Sequence, residues 1–173
     1  MTTNPPPPPL PSPTGVASLA ERRENAKSVK VNTSLLGVGP GDELDQAHRK
    51  LDKLSDRARP PKAENDQDEK EADSKILWQF AGTDYSAVFA KADKKERINY
   101  IVGLLRPGKE VGFEKIGEVK KAPIRSNNFI AWDVIRPNRP HIRVVAKGNG
   151  GKADNITIFL VQRSGPPSDA SRL

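Results

Sequence analysis

His141, Arg143 and Lys147 sit at alternate or twice-alternate positions of the segment HIRVVAK. In an extended chain, residues of one parity leave the backbone on one face, about 7 Å apart for each step of two. An imidazole, a guanidinium and an ammonium would thus line a single face. Ile142, Val144 and Ala146 take the other parity and suit a buried face. Such a row fits a bent polyanion, with one group beside a reacting phosphate and the others holding its neighbours. The chemistry it suits without a metal is RNA cleavage, in which the ribose 2′-OH attacks the adjacent phosphate. That reaction needs a base near the hydroxyl, an acid near the leaving 5′-oxygen and cations around the phosphorane. His141 is the titrating candidate, because imidazole changes charge near neutral pH. Glu114 is the candidate partner base, on the expectation that residues 110–120 form a strand that turns it onto the same face. Arg143 and Lys147 would stabilise charge.

Further cations flank these residues. Lys120, Lys121 and Arg125 precede the apolar run NNFIAWDVIR, and Arg136 and Arg139 follow it. If Ile156, Ile158 and Leu160 face the core, Phe159 and Arg163 share the open face with His141. An exposed aromatic ring among cations is what base stacking on single-stranded RNA uses. These seven residues are the candidate nucleic-acid contacts. Trp132 lies in a run that is apolar on both parities and is expected in the core.

The elements that must position these groups follow from periodicity. Residues 127–136, 141–147 and 155–163 read as strands, with Gly148-Asn149-Gly150-Gly151 as the turn before the last. Residues 110–120, with two glycines, read as a bulged or edge strand. Upstream, Tyr85, Val88, Phe89 and Ala92 have helical spacing. Asp93 and Glu96 form a capping-box pattern ahead of Ile98, Ile101, Val102 and Leu105. The expected fold is α+β: two N-terminal helices packed on a four-stranded antiparallel sheet, preceded by a long disordered Pro-rich tail.

All nine aromatic residues fall between Trp78 and Phe159. Residues 1–72 carry 11 Lys/Arg and 12 Asp/Glu, whereas 73–173 carry 18 and 10, a net of +8. The expected organisation is therefore a Pro-rich and charged tail with weak helices over 1–73. A compact basic domain over 74–165 and a frayed end over 166–173 complete it. Pro5–Pro9, Pro11 and Pro13 favour extended polyproline, as a spacer or as a ligand for a Pro-binding groove. Weak helices are expected near Val16–Val29 and Asp42–Arg59, with His48 on a solvated face. Residues 62–73 read as a polar linker. The chain has no cysteine and two histidines, which removes thiol chemistry and disfavours a zinc site, so no metal or cofactor is expected. No run is long and apolar enough for a membrane helix, and the N-terminus lacks the pattern of a secretory signal. GVGPG (37–41) lacks the lysine of a phosphate loop, and Asp154–Asn155 reads as turn residues rather than metal ligands.

The order ERINYIVGLL (96–105), FEKIGEV, NNFIAWDVI, HIRVVAKG and NITIFLV, with a basic open face, resembles the barnase–EndoU–colicin–RelE group of small toxin ribonucleases. The resemblance covers about residues 76–163. It implies an endoribonuclease-like toxin or effector acting on RNA in the cytoplasm, paired with an inhibitor or immunity protein. The Pro-rich tail departs from small antitoxin-paired toxins and suits delivery by a specialised secretion route or a phage. The second His of EndoU-like enzymes is missing from residues 74–165. The alternative function is a non-catalytic nucleic-acid-binding or protein-interaction module whose tail recruits a partner.

Overall fold

The computed structural model describes residues 18–55 and 74–162. The expected proline spacer, the linker, the frayed C-terminus and Arg163 lie outside the described residues.

Among the described residues, eight antiparallel strands make one sheet. They are β1 (Ser74–Gln79), β2 (Tyr85–Ala92), β3 (Ile98–Leu105), β4 (Val111–Gly112), β5 (Ile124–Arg125), β6 (Phe129–Val134), β7 (Ile142–Asn149) and β8 (Lys152–Leu160). Their spatial order is β1-β2-β3-β8-β7-β6-β5, with β4 paired to the start of β8. The helices are α1 (Leu19–Ser28), α2 (Leu44–Leu51) and the single turn α3 (Phe113–Ile116).

This corrects the expected two helices on four strands. The two segments with helical spacing are β2 and β3. Their apolar residues fall on both parities because both sheet faces need them there. Val88, Ala90, Ile98 and Ile101 are buried, while Phe89, Tyr100 and Val102 are half-buried on the opposite face. Apolar residues on both parities imitate steps of three and four, and the β-branched and aromatic content then decides for the strand. Asp93 caps no helix. Its carboxylate accepts the Lys95 and Arg97 N–H groups at 2.8 and 3.0 Å, and Glu96 takes φ 56°, so the pair makes the β2–β3 turn. The helix on which the resemblance to toxin ribonucleases rested is therefore strand β3.

The expected strand at 110–120 is also replaced. Two residues pair as β4, and the chain then coils into α3 so that Phe113 and Ile116, three apart, both enter the core. The later strands lie close to expectation. Between β7 and β8, Gly150 and Gly151 both take positive φ (60° and 76°), the type I′ geometry that continues strand twist through a two-residue turn.

One sheet face is covered by the N-terminal segment and by residues 113–122. Val29, Leu35, Val38, Ala47 and Leu51 join Trp78, Ile98, Ile101, Trp132, Val144 and Ile158 in a single core. The compact unit is thus not confined to residues 74–165: residues 18–55 form part of its second layer. His48, expected on a solvated face, is 9% exposed and lies 5.3 Å, ring to ring, from Trp78. Asp52 accepts the Trp78 indole N–H at 2.8 Å, fastening α2 to β1.

Candidate functional site

Strand register sorts the other face into rows that run across the sheet. One row is Lys75, Lys91, Tyr100, Phe159, Arg143 and Asp133, each the cross-strand partner of the next. The next is Leu77, Phe89, Val102, Thr157, Val145 and Ala131. The third pairs Leu104, Asn155, Lys147 and Phe129. Register sets the partners, and alternation then puts each partner's side chain on the same face.

The middle of this face is aromatic. Phe89 and Tyr100 meet edge-on with centroids 6.3 Å apart, and Tyr100 and Phe159 lie 6.2 Å apart at 37°. Leu77 and Leu104 are 59% and 44% exposed, so the face presents apolar surface to solvent. The rings are held by the sheet, since β2, β3 and β8 are interior strands, each flanked on both sides. Phe159 is therefore where its parity predicted. Phe89 and Tyr100 were missed, because reading β2 and β3 as helices removed them from any sheet face.

Arg143 and Lys147 share the face as expected, in different states. Arg143 donates from Nε and Nη2 to the two carboxylate oxygens of Asp133, at 2.7 and 3.1 Å. These bonds raise the guanidinium pKa further, against the opposing effect of burial. Lys147 is exposed and stands over the Phe129 ring, 5.9 Å from its centroid. His141 precedes β7, with Nε2 3.3 Å from Asp133 Oδ1; it is an ion-pair distance without hydrogen-bond alignment. Asp133 thus organises both His141 and Arg143. The sequence reading missed Asp133: an acid inside an apolar strand was the available signal, but only register shows that it and Arg143 are partners.

The other candidates do not converge on His141. Glu114 is on α3, in the layer that covers the opposite face, and lines an open cleft of about 440 Å³ with Lys30, Asn32 and Glu118. It cannot be a partner base for His141, because the coil at 113–116 replaced the expected strand. Arg136 is a helix cap: Nη1 donates to the carbonyls of Ala26, Lys27 and Ile135 at 3.1, 2.7 and 3.0 Å. Its Nη2 also donates to the Val29 carbonyl. A guanidinium at the negative end of α1 satisfies carbonyls that have no helical partner. Lys121 donates to the Ser28 carbonyl at 3.4 Å and pairs with Glu118 at 3.2 Å, on the covered side. Arg125 donates to the Val119 carbonyl at 3.4 Å. Lys120 and Arg139 are exposed, in the 3-10 turn after α3 and in the turn before β7.

Among the described residues, no three of His, Asp and Glu are grouped to hold a metal ion. No helix among them is long and apolar enough to cross a membrane. The chain matches no protein-family model, no curated protein and no solved structure.

Proposed function

We propose that the chain binds single-stranded RNA on the uncovered sheet face and does not cut it. The observation that carries this reading is the run of Phe89, Tyr100 and Phe159 rings on three successive strands of that face. Rings about 6 Å apart on a rigid sheet offer successive bases π-faces to stack on. The exposed Lys75 stands at one end of the row through Tyr100 and Phe159, and the exposed Lys147 lies two rows away on the same face beside Phe129, so backbone phosphates leaving the rings would meet cations on either side. The surplus of +8 over residues 73–173 favours a polyanion at longer range.

Binding is preferred to cleavage on the same geometry. Acid–base cleavage of RNA needs two proton-transferring groups on either side of one phosphate. His141 has Asp133 and Arg143 as neighbours, which already satisfy each other. The expected second group, Glu114, belongs to the opposite layer.

The test is fluorescence anisotropy of labelled single-stranded RNA titrated with the full chain over a range of salt. We expect binding that weakens with salt. Tyr100→Ala and Phe159→Ala should each weaken it by about 10- to 100-fold, the effect of losing one base stack. RNA fragments that disappear in His141→Ala would overturn the non-catalytic part of the reading. No RNA binding, together with self-association that Leu77→Lys abolishes, would assign the face to protein contacts instead.

A further inference from the structure

Arg143 and Asp133 form a neutral pair at the end of the aromatic row. The carboxylate takes up the Nε side of the guanidinium, through Nε and one Nη2 hydrogen. Guanidinium has five N–H donors, so two on Nη1 and one on Nη2 remain. No hydrogen bond reaches Nη1 among the described residues. The open Nη1–Nη2 edge is a fixed pair of donors in one plane, and the neighbouring residue across β7 and β8 is Phe159.

Resting on the reading of this face as an RNA platform, we infer that Arg143 reads guanine. A base stacked on Phe159 turns its edge toward the neighbouring strand, where the Nη1 and Nη2 donors meet two acceptors. On the Hoogsteen edge guanine alone offers a matched pair, O6 and N7, whereas adenine places a donor beside N7; cytosine's adjacent acceptors, N3 and O2, lie on its Watson–Crick edge. A phosphate would also fit two donors, but Asp133 argues against it. The carboxylate already cancels the guanidinium charge, and a second anion on the same group would be repelled by it. Guanine's acceptors are neutral and meet no such repulsion. Lys75 and Lys147 carry the phosphate contacts, and Asp133 acts as a positioning residue that fixes the plane of the guanidinium.

The experiment compares short oligouridines carrying one central uridine, cytidine, adenosine, guanosine or 7-deazaguanosine, titrated with the full chain. Guanosine should bind about tenfold tighter than the others, as expected for one bidentate contact. 7-Deazaguanosine lacks N7 and should lose most of that preference, which tests the contact without altering the protein. Arg143→Lys replaces a planar donor pair by a point charge and should bring the guanosine-to-uridine ratio close to one. Asp133→Asn should lower the same ratio while steepening the salt dependence by about one charge. Equal affinity for guanosine and 7-deazaguanosine, or a preference that survives Arg143→Lys, overturns the inference and leaves the platform standing. If none of these RNAs binds, the platform and the inference fall together.

Discussion

Arg136 shows how far one residue's role depends on its neighbours. In the sequence it is one more cation beside an apolar run; in the fold it closes the end of α1 and joins residues 26–29 to the β6–β7 connection. Removing it takes the side-chain donor from the Lys27, Val29 and Ile135 carbonyls, whereas the Ala26 carbonyl keeps the Ile135 N–H at 3.0 Å. Arg136→Ala should therefore destabilise the protein by about 2 kcal/mol, the cost of losing charged hydrogen bonds, with Arg136→Lys in between. Urea unfolding of the three proteins checks this, and an unchanged midpoint for the alanine variant would refute it. Glu118 makes a similar tie. Its carboxylate accepts the Lys30 N–H at 2.6 Å and pairs with Lys121, and the backbone bond is the larger cause of its lowered pKa. A carboxyl with a lower pKa in the folded state stabilises the fold above its unfolded pKa. That contribution fades as pH falls from the ordinary carboxylate range through the lowered folded value. Glu118→Gln should thus narrow the difference in urea midpoint between neutral and acid solution; an identical pH dependence in both proteins would contradict it.

At the scale of elements, the covering layer sits close against the sheet. A side chain at Gly117 would place its Cβ 2.6 Å from Val31 Cγ2 and 3.0 Å from Trp132 Cε2. Gly117 has φ −168°, ordinary extended backbone, so the constraint is steric rather than conformational. Gly117→Ala should cost about 1–3 kcal/mol through overpacking, and should loosen the bond from the Trp132 indole N–H to the Glu118 carbonyl at 3.0 Å. Thermal unfolding followed by Trp fluorescence reads both effects, and a wild-type melting curve would sink the prediction. The β2–β3 turn makes a gentler case. Asp93→Ala removes two carboxylate bonds from the turn backbone and should cost about 1 kcal/mol, as for other side-chain caps of backbone N–H groups.

For the whole molecule, the N-terminal layer decides what can fold alone. Leu35, Leu51, Val29 and Val38 are at most 1% exposed and belong to the same core as the sheet. Fully burying each such side chain contributes about 1.5–3 kcal/mol, so the four together are comparable to the whole ~5–15 kcal/mol by which a domain is stable. A fragment of residues 73–173 should lose cooperative thermal unfolding. Adding residues 1–60 as a separate chain should restore it in part. A cooperative melt of the isolated fragment would show that the sheet stands without its cover.

The sequence by itself determined the strands that end the chain and the turn between β7 and β8, because Gly-Gly chemistry and alternation are local. It also determined that Arg143, Val145 and Lys147 share a face, since parity needs only an extended backbone. Four things were decided by tertiary structure alone. β2 and β3 became strands because apolar residues on both parities serve two faces at once, which resembles helical spacing until a sheet exists. Residues 18–55 joined the core because their few apolar side chains find a surface to bury against only once that sheet is formed. Glu114 left the expected site because Phe113 and Ile116 both turn inward. The alignment of Phe89, Tyr100, Phe159, Arg143 and Asp133 rests on register between strands far apart in sequence, and register is a property of pairing rather than of any one segment.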